Sequence, residues 1–433
     1  THTAPSTLAC LGTKADPRYT PYLVGKIAES IAAAQKKLQP AQSGWNKADA
    51  AEFTALRRWI YRPDRIGKDP FGNPTVRATM HAGNNWANVT GESGPEDPDL
   101  TMISIQDGKG RPLAILANFS MHYFGGVRAI SSDYFGKFAT NLNSMLEADE
   151  SFVGIMSHGC SGDIWRRDYT LRNWAVNPPK KEEQMKIDAY AKGLAERALR
   201  DYRKIKHQSD LDLSMAETRM TLKYRVPNAE RLAWAKAKVA EMGDRNPKNR
   251  TEVYAYEQTV LHVRQETEIV LQALRLGEMM ITTTPNETYA LTGLKLKAMS
   301  PLSNTMVIEL ANGGDGYIPP PEQHFLGGYN TWPARSAGLE VQAEPKIVEA
   351  CLKLLEKVAS KPRRVPQTTR GPAAKAIAAL KPLVWWRMGE FAGPSAKDEQ
   401  GNKKGNYEDG VVFYLEGPNS KSFTPNQVNR CAH

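Results

Sequence analysis

The chain of 433 residues carries a net charge of +10, and 41% of its residues are hydrophobic, 24% charged and 8% aromatic. These proportions are typical of globular proteins and argue against a collagen, a coiled coil or bulk disorder. The length predicts two or three units of roughly 100–200 residues, or one large domain with extensions, and the absence of any run of about 18 apolar residues argues against a membrane span.

The first half of the chain predicts a helix, a hairpin and then an alternation of helix and strand. Residues 21–38 place apolar side chains at helical spacing after a first-turn proline. Residues 100–106 and 112–119 are apolar runs around an Asp-Gly-Lys-Gly turn, which predicts a β-hairpin. The elements expected next are a helix at 133–146, a buried strand at 152–156, a Gly-rich turn at 159–163 and a helix at 181–206.

The second half predicts a helical pair, a second hairpin and a last amphipathic helix. A turn that contains Gly243 and Pro247 separates helices at 228–242 and 251–265. We interpret this pair as an insertion at about residues 226–266. The elements expected after it are strands at 268–276 and 279–284, a helix at 346–358, and short strands at 383–388 and 411–414.

These elements together predict an α/β fold with mixed β-sheets flanked by helices. We expect a main domain at residues 1–360, a basic Pro-rich linker at 361–382 and a partial β-rich extension at 383–433. The linker has no acidic residue, and its positive charges are those of Lys361, Arg363, Arg364, Arg370, Lys375 and Lys381. Such a segment can meet anionic lipid or nucleic acid. A solvated linker is the simpler interpretation; we expect no nucleic-acid partner, and contact with a membrane surface stays open.

The cysteines and the first residues leave the cellular compartment open. Cys10, Cys160, Cys351 and Cys431 form no Cys-x-x-Cys pair, and four cysteines allow three disulfide connectivities. The chain begins at Thr1 with no visible targeting signal, so we expect either a processed protein or a fragment.

Three histidines stand at predicted strand ends or loops, where side chains can be directed into a cleft. They are His2, His122 and His158. A single histidine of this kind is more often a core or surface residue, but Glu287 follows a predicted strand and Tyr317 follows the Gly-rich run 312–316. Two imidazoles and a carboxylate with an open position form a familiar catalytic zinc set. The spacing alone matches no local motif.

Several short motifs in this order resemble the neutral, non-lysosomal ceramidase family, and most closely its planctomycete-type ceramidase-like proteins. The resemblance covers about residues 1–360. The matching pieces are Thr1-His2-Thr3-Ala4-Pro5, Ser120-Met121-His122, Ile130-Ser131-Ser132-Asp133, Gly162-Asp163, Pro285-Asn286-Glu287, and Gly316-Tyr317 with Tyr329 twelve residues later.

The resemblance implies a zinc ion bound by His122, Glu287 and Tyr317, with His2 acting at the substrate. In an ungapped match the family's first histidine ligand would precede Thr1, whereas a gapped match makes His2 itself the ligand.

The remaining catalytic positions that the resemblance implies are a tyrosine and an arginine, which support the amide oxygen and the leaving amine. Tyr329 matches the tyrosine, and Arg57 matches the arginine better than Arg58 does.

One departure from the family concerns the residues that would bind the substrate. The family has a serine in Gly-Asp-Val-Ser-Pro-Asn, whereas this chain has Trp165 in the run Gly162-Asp163-Ile164-Trp165-Arg166-Arg167. We expect Asp163 and Trp165 to contact substrate, with Arg166 and Arg167 as a cationic floor for another head group. A simpler interpretation is that Asp163 caps a helix.

The resemblance implies a zinc-dependent amide hydrolase that uses metal-activated water on a lipid-like N-acyl substrate. Two alternatives stay open: a catalytically silent, metal-bearing binding module, or an amidase or esterase for small N-acyl compounds. The resemblance also implies a secreted or periplasmic location.

Overall fold

The computed structural model describes residues 18–81, 86–125, 131–166, 186–366, 371–423 and 428–433, and every structural statement below concerns these residues. Their helices are α1 (Tyr19–Gln35), α2 (Asp133–Leu146), α3 (Ile187–Tyr202), α4 (Ala229–Met242), α5 (Arg250–Arg264), α6 (Ala290–Met299), α7 (Pro321–Leu326), α8 (Ala343–Ala359) and α9 (Pro372–Ala379). No helix in this part of the chain is both long enough and apolar enough to cross a membrane.

The strands of the described residues are between two and eleven residues long. The first eight are β1 (Ala41–Asp49), β2 (Ala55–Leu56), β3 (Arg58–Tyr61), β4 (Ala78–Met80), β5 (Val89–Glu92), β6 (Asp99–Asp107), β7 (Pro112–Phe119) and β8 (Val153–His158). The next seven are β9 (Ile164–Trp165), β10 (Leu213–Lys223), β11 (Glu266–Leu276), β12 (Met279–Thr283), β13 (Glu287–Thr288), β14 (Asn304–Ile308) and β15 (Tyr317–Ile318). The last four are β16 (Ser395–Ala396), β17 (Gly405–Asn406), β18 (Leu415–Glu416) and β19 (Arg430–Cys431).

The first large sheet has the strand order β1-β6-β7-β8. β1, β6 and β7 pair antiparallel, while β7 and β8 pair parallel because α2 crosses over between them. The inner face of α2 buries Tyr134, Phe138 and Leu142 in one cluster with Met102 and Ile115 of the sheet. This packing aligns the carboxyl ends of β7 and β8, and these two ends open the loops that carry His122 and residues 159–163.

The second large sheet has the strand order β10-β11-β12-β14. β10, β11 and β12 pair antiparallel, and α6 connects β12 to the parallel strand β14. α8 covers one face of this sheet with Ile347, Cys351 and Leu355, which lie in one core cluster with Leu271. The mixed sheets flanked by helices confirm the predicted α/β fold class.

Most of the predicted elements are present near their expected bounds. α2 covers exactly the residues predicted for it, and both predicted hairpins pair antiparallel. The helix predicted at 181–206 is α3, Ile187–Tyr202, and residues 181–185 lie outside the described part. α4 and α5 form the predicted helical pair between β10 and β11.

The C-terminal part differs from the sequence prediction in its strands. Residues 383–388 and 411–414 contain no strand; the short strands there are β16 to β19, two residues each. These two predictions were wrong: Leu383, Trp386 and Met388 are exposed, and Trp386 forms only an isolated bridge to Asp398. β16 pairs with β17 and β18 with β19, and both pairs are antiparallel.

The segment predicted as a linker contains ordered contacts. α9 lies within it, and Arg363 forms ion pairs with Glu349 and Glu356 of α8 at 2.7 and 2.8 Å. The start of this segment is therefore attached to α8 rather than surrounded by solvent. The division of the chain at about residues 360 and 382 stays a prediction. Cys160, Cys351 and Cys431 are free thiols, and Cys10 lies outside the described residues.

Candidate functional site

Four short segments bring the predicted site residues to one place. His122 lies three residues after β7 ends, and Glu287 opens β13. β13 pairs parallel with β15 in a register that sets Glu287 opposite Tyr317. Arg57 follows β2, which pairs with β9, and its backbone N–H donates to the Asp163 carbonyl at 2.9 Å. These positions come from distant parts of the chain, and the fold alone unites them.

Each of these side chains has a polar atom within about 4 Å of a polar atom of the next one in the site. The His122 Nδ1 atom is 3.9 Å from Glu287 Oε2, and Arg57 Nη2 is 3.8 Å from the same oxygen. Arg57 Nη2 also donates to the Tyr317 hydroxyl at 3.1 Å, and that hydroxyl is 3.3 Å from the Tyr329 hydroxyl. His122, Glu287, Tyr317, Arg57 and Tyr329 therefore form one continuous polar cluster.

The cluster is buried at one end and open at the other. Arg57 is 2% exposed, His122 5%, Glu287 8% and Tyr317 9%, whereas Tyr329 is 37% exposed. Tyr329 thus stands at the mouth, where a group entering from solvent would meet it before the buried residues.

Charge and burial set the ionisation of two members of the cluster. Burial alone would lower the pKa of Arg57, but the neighbouring Tyr317, Tyr329 and Glu287 raise it above its ordinary value. Burial raises the pKa of Tyr317 well above its ordinary value. Arg57 is therefore a permanent cation, and in the metal-free protein Tyr317 keeps its proton at neutral pH.

A glycine allows the loop before β9 to approach Glu287. A Cβ atom on Gly162 would lie 2.7 Å from the Glu287 carbonyl oxygen, closer than any real contact. The Gly162 carbonyl accepts a 2.8 Å hydrogen bond from Arg57 Nη2. The glycine therefore lets the loop pack against the backbone of Glu287 while its carbonyl binds Arg57.

Trp165 borders this cluster, as a residue in a substrate site would. Its ring centroid is 5.8 Å from the His122 ring and 5.8 Å from the Arg57 guanidinium carbon. The Arg166 guanidinium lies 4.3 Å from the Trp165 ring and 4.0 Å from the Phe124 ring, between the two. Arg167 lies outside the described residues, and substrate contact by Trp165 stays a prediction.

Asp163 has a structural contact in addition to its position beside the site. It is 1% exposed, and its Oδ1 atom accepts a 2.9 Å hydrogen bond from the Ala290 N–H at the first residue of α6. Burial raises the pKa of Asp163 to about 7. This long-range bond satisfies one first-turn N–H of α6, whose own N-cap residue, Tyr289, makes no side-chain cap. The predicted role of Asp163 in substrate binding stays a prediction.

His158 lies in a second buried group rather than in the main cluster. Its Nδ1 atom is 3.5 Å from Glu309 Oε1, and the Ser161 hydroxyl donates to that same oxygen at 2.5 Å. Burial lowers the pKa of His158 to about 4 and raises that of Glu309 well above its ordinary value. His158 is therefore a neutral core histidine, in line with the interpretation that a single histidine at such a position is more often a core or surface residue.

Sequence reasoning missed two aromatic neighbours of the site. The Tyr123 ring lies 4.4 Å from the His122 ring, and the His81 ring lies 5.2 Å from the Trp165 ring. Tyr123 is adjacent to His122 in sequence, which was a usable signal. No spacing pattern connects His81 to the other residues. His2 lies outside the described residues.

The side chains that would hold a metal fit zinc by donor chemistry. Imidazole nitrogen, carboxylate oxygen and phenol oxygen are hard to borderline donors, and two atoms that each lie about 2.0–2.2 Å from zinc are at most about 4.4 Å apart. The 3.9 Å between His122 and Glu287 is within that limit. The described part of the chain holds no group of three or more His, Cys, Asp or Glu side chains arranged for a metal. A site at His122 and Glu287 would take Tyr317 as its third donor.

Comparisons with known proteins agree on the fold. No protein-family profile and no curated protein matches the sequence. The crystal structure of neutral ceramidase from Pseudomonas aeruginosa superposes with a TM-score of 0.55 and 15% identity over 82% of this chain and 58% of that one. A ceramidase complexed with C2 superposes with a TM-score of 0.53 and 13% identity over 82% and 59%.

These likenesses establish a ceramidase-like fold. The chain spans about 58% of the length of the solved ceramidase that it matches. The narrower resemblance to planctomycete-type proteins stays a prediction.

Proposed function

We propose that this protein is a zinc-dependent amide hydrolase that acts on a lipid-like N-acyl substrate. The observation that carries the proposal is the convergence of His122, Glu287 and Tyr317 with Arg57 and Tyr329 in one cluster. The ceramidase-like fold supports it.

His122, Glu287 and Tyr317 would hold the zinc ion. When bound, zinc lowers the pKa of a coordinated water to about 7 and polarises the carbonyl of the substrate. The second observation in favour is that the site opens at Tyr329, so the carbonyl of an incoming amide meets the polar cluster from that side.

Arg57 and Tyr329 would stabilise the charge that develops on the amide oxygen. Arg57 is a rigid, buried cation whose Nη2 atom is fixed by the Gly162 carbonyl and the Tyr317 hydroxyl. Such a preorganised donor acts most strongly in a site with little water. His2, which lies outside the described residues, would transfer the proton to the leaving amine.

Trp165 determines which acyl amide fits. An indole at this position removes a hydroxyl that could bind a polar head group, and it adds an apolar surface beside His122. We therefore propose a lipid-like amide whose head group differs from that of ceramide. Peripheral contact with a membrane surface and a secreted or periplasmic location are parts of the same proposal.

A catalytically silent binding module is the second candidate function. The observation in its favour is that Trp165, which has no hydroxyl, borders the cluster at 5.8 Å from the His122 ring, where the resembling family has a serine. A module of this kind would keep the metal and lack turnover.

The decisive experiment measures zinc content and fatty-acid release in one preparation. The purified chain is analysed for metal and incubated with a panel of N-acyl amides that includes N-dodecanoyl sphingosine. We expect bound zinc and release from at least one lipid-like amide, both lost in His122→Ala and Glu287→Gln. His262→Ala, an exposed histidine in the last turn of α5, is the matched control. Zinc without release from any amide would favour the silent module, and absence of zinc would reject both.

A further inference from the structure

Tyr329 is partly exposed, so the loop that carries it helps to set its position. The residue is 37% exposed, and its ring meets the Tyr317 ring edge to face with centroids 5.6 Å apart. The loop runs from the end of α7 through Gly327 and Gly328 to Asn330. Whatever fixes this loop therefore fixes the Tyr329 hydroxyl.

Arg58 is fully buried and gives all its observed hydrogen bonds to that loop and to the helix before it. Nε donates to the Gln323 side-chain oxygen at 2.8 Å, and Nη2 donates to the Gln323 and Gly327 carbonyls at 3.2 and 2.7 Å. Nη1 donates to Asn330 Oδ1 at 2.9 Å. The acceptors thus lie on both sides of Tyr329 in the chain.

Burying an arginine costs free energy unless its N–H groups are hydrogen-bonded. A guanidinium without water needs its donors satisfied. Burial lowers the pKa of Arg58, although Tyr289, Asp163 and Tyr329 nearby act to raise it. Backbone carbonyls and two amide side chains provide the hydrogen-bond acceptors. Because the guanidinium is planar and rigid, these acceptors are fixed relative to one another.

The two glycines before Tyr329 fit the loop against this guanidinium. Gly327 and Gly328 have φ values of +73° and +93°, which disfavour any residue with a side chain. A Cβ atom on Gly327 would lie 2.3 Å from the Thr75 carbonyl, and one on Gly328 would lie 2.9 Å from Arg58 Nη1. The chain therefore passes directly over Arg58.

We propose that Arg58 is a positioning residue that holds the loop of residues 327–330 so that the Tyr329 hydroxyl lies against Tyr317 in the site. Neighbouring residues of an extended segment point to opposite sides. Arg57 therefore points into the cluster, while Arg58 points to the loop of residues 327–330 that carries Tyr329. The catalytic consequence rests on the proposed function, because it assumes that Tyr329 acts on substrate.

The kinetic test removes one hydrogen bond of Arg58 and then restores it. Asn330→Ala removes the acceptor of Nη1, whereas Asn330→Asp keeps an oxygen there. Asn330 Nδ2 has no hydrogen-bond partner among the described residues, so its replacement by aspartate removes no other hydrogen bond of the described part. With N-dodecanoyl sphingosine or the best amide of the panel, we expect Asn330→Ala to lower kcat by about tenfold or more, with KM within about twofold, and Asn330→Asp to recover most of it.

A control and a double variant separate positioning from loss of stability. Asn46→Ala removes a single hydrogen bond of an asparagine to the Asp201 carbonyl, 2.9 Å long and remote from the site, and is expected to keep the kcat of the parent. Tyr329→Phe combined with Asn330→Ala should lose no more kcat than Tyr329→Phe alone. Additive losses in the double variant would overturn the proposal.

A spectroscopic test does not need activity. The protein is labelled with 3-fluorotyrosine, and the ¹⁹F signal of Tyr329 is identified by its absence in Tyr329→Phe. We expect this signal to move in Asn330→Ala and Arg58→Lys but not in Asn330→Asp or Asn46→Ala. An unmoved signal in Asn330→Ala would overturn the positioning role. Parent activity in Tyr329→Phe together with a moved signal would instead overturn the catalytic role of Tyr329 and leave the positioning role supported.

Discussion

Arg57 connects a backbone carbonyl with the hydroxyl of a proposed metal ligand. Its Nη2 atom contacts the Gly162 carbonyl and the Tyr317 hydroxyl at once, and the Trp165 ring lies 5.8 Å from its guanidinium carbon. A lysine offers one compact donor group and no planar, delocalised cation to lie beside the Trp165 and Tyr317 rings. The residue that accompanies the proposed ligands is therefore an arginine for geometric reasons as well as for charge.

Trp165 gives a prediction about substrate selection. We expect Trp165→Ser to raise kcat/KM for N-dodecanoyl sphingosine relative to an N-acyl amide without hydroxyls by roughly 5- to 150-fold, since a hydroxyl paired with substrate is worth about 1–3 kcal/mol. Trp165→Phe keeps a ring beside His122 and should leave the ratio unchanged. The measurement is the ratio of kcat/KM for the two amides in each variant. An unchanged ratio in Trp165→Ser would remove Trp165 from substrate selection.

Asp163 gives a prediction about pH. Its pKa is about 7 in the folded protein against an ordinary 3.8, so between these values the folded state binds more protons than the unfolded state. The contribution of Asp163 to the free energy of unfolding is therefore fully present below about pH 4 and is lost as the pH rises to about 7, by at most about 1.4 kcal/mol per pH unit.

The variant Asp163→Asn isolates this effect, because asparagine keeps the oxygen that accepts from Ala290 and does not titrate. We expect the difference in unfolding free energy between parent and variant to change steadily from about pH 4 to 7 and to be constant above that range. Urea unfolding at several pH values measures it. If the difference stays constant from about pH 4 to 7, Asp163 is ionised in the folded protein at every pH measured.

The site residues themselves illustrate what a single sequence can reveal. Glu287 and Tyr317 are 30 positions apart, and only the parallel register of β13 and β15 sets them opposite each other. No periodicity predicts that pairing. The sequence singled out the two residues separately, by their places after a predicted strand and a Gly-rich run, and only the resemblance implied that they act together. The alternative that Asp163 caps a helix did not foresee its contact, because β9 follows Asp163 in the chain and its partner Ala290 lies 127 residues away.

Elements with a local signal were predictable, and those that depend on a partner were not. α2 buries a regular apolar stripe and was predicted at its exact bounds. β1 is a polar strand with Gly44 inside it, and it is ordered by pairing along its whole length with β6. α6 is enclosed, and its Lys295 and Lys297 are turned inward to pair with Glu344 and Asp97, so it has no amphipathic pattern to detect.

At the scale of one helix, α8 gives a prediction about stability. Leu355 is fully buried in the cluster that joins α8 to β11, whereas Leu380, just after α9, is 80% exposed. We expect Leu355→Ala to lower the unfolding free energy by about 2–5 kcal/mol through lost burial and a residual cavity. Leu380→Ala is the matched control and should change it by less than about 0.5 kcal/mol. Equal midpoints in urea for the two variants would show that α8 does not pack on the sheet.

Across the whole molecule, the site lies where the two large sheets meet. His122 follows β7 of the first sheet, and Glu287 follows β12 of the second after a short turn. The backbone N–H of Glu309, one residue after β14, donates to the His158 carbonyl at the end of β8 at 3.0 Å, which connects the strand ends of both sheets. A ligand held by His122 and Glu287 together would therefore bridge the two halves of the fold.

That arrangement predicts that zinc stabilises the whole protein and not only the site. A ligand that binds the folded state alone adds RT ln(1 + [L]/Kd) to the free energy of unfolding, about 2.7 kcal/mol at a hundredfold excess over Kd. We expect the melting temperature of the chelator-treated protein to rise by several degrees on addition of zinc, with both sheets melting in one transition.

The matched variants are Glu287→Gln at the site and Glu268→Gln on β11, whose carboxylate pairs only with the exposed Arg219 among the described residues. Glu287→Gln loses a charged ligand and should abolish the rise, while Glu268→Gln should keep it in full. Differential scanning calorimetry with and without zinc measures both. Because the bridge requires His122 and Glu287 to act together, a rise of the parent size in Glu287→Gln would place zinc elsewhere and reject this site as the metal centre.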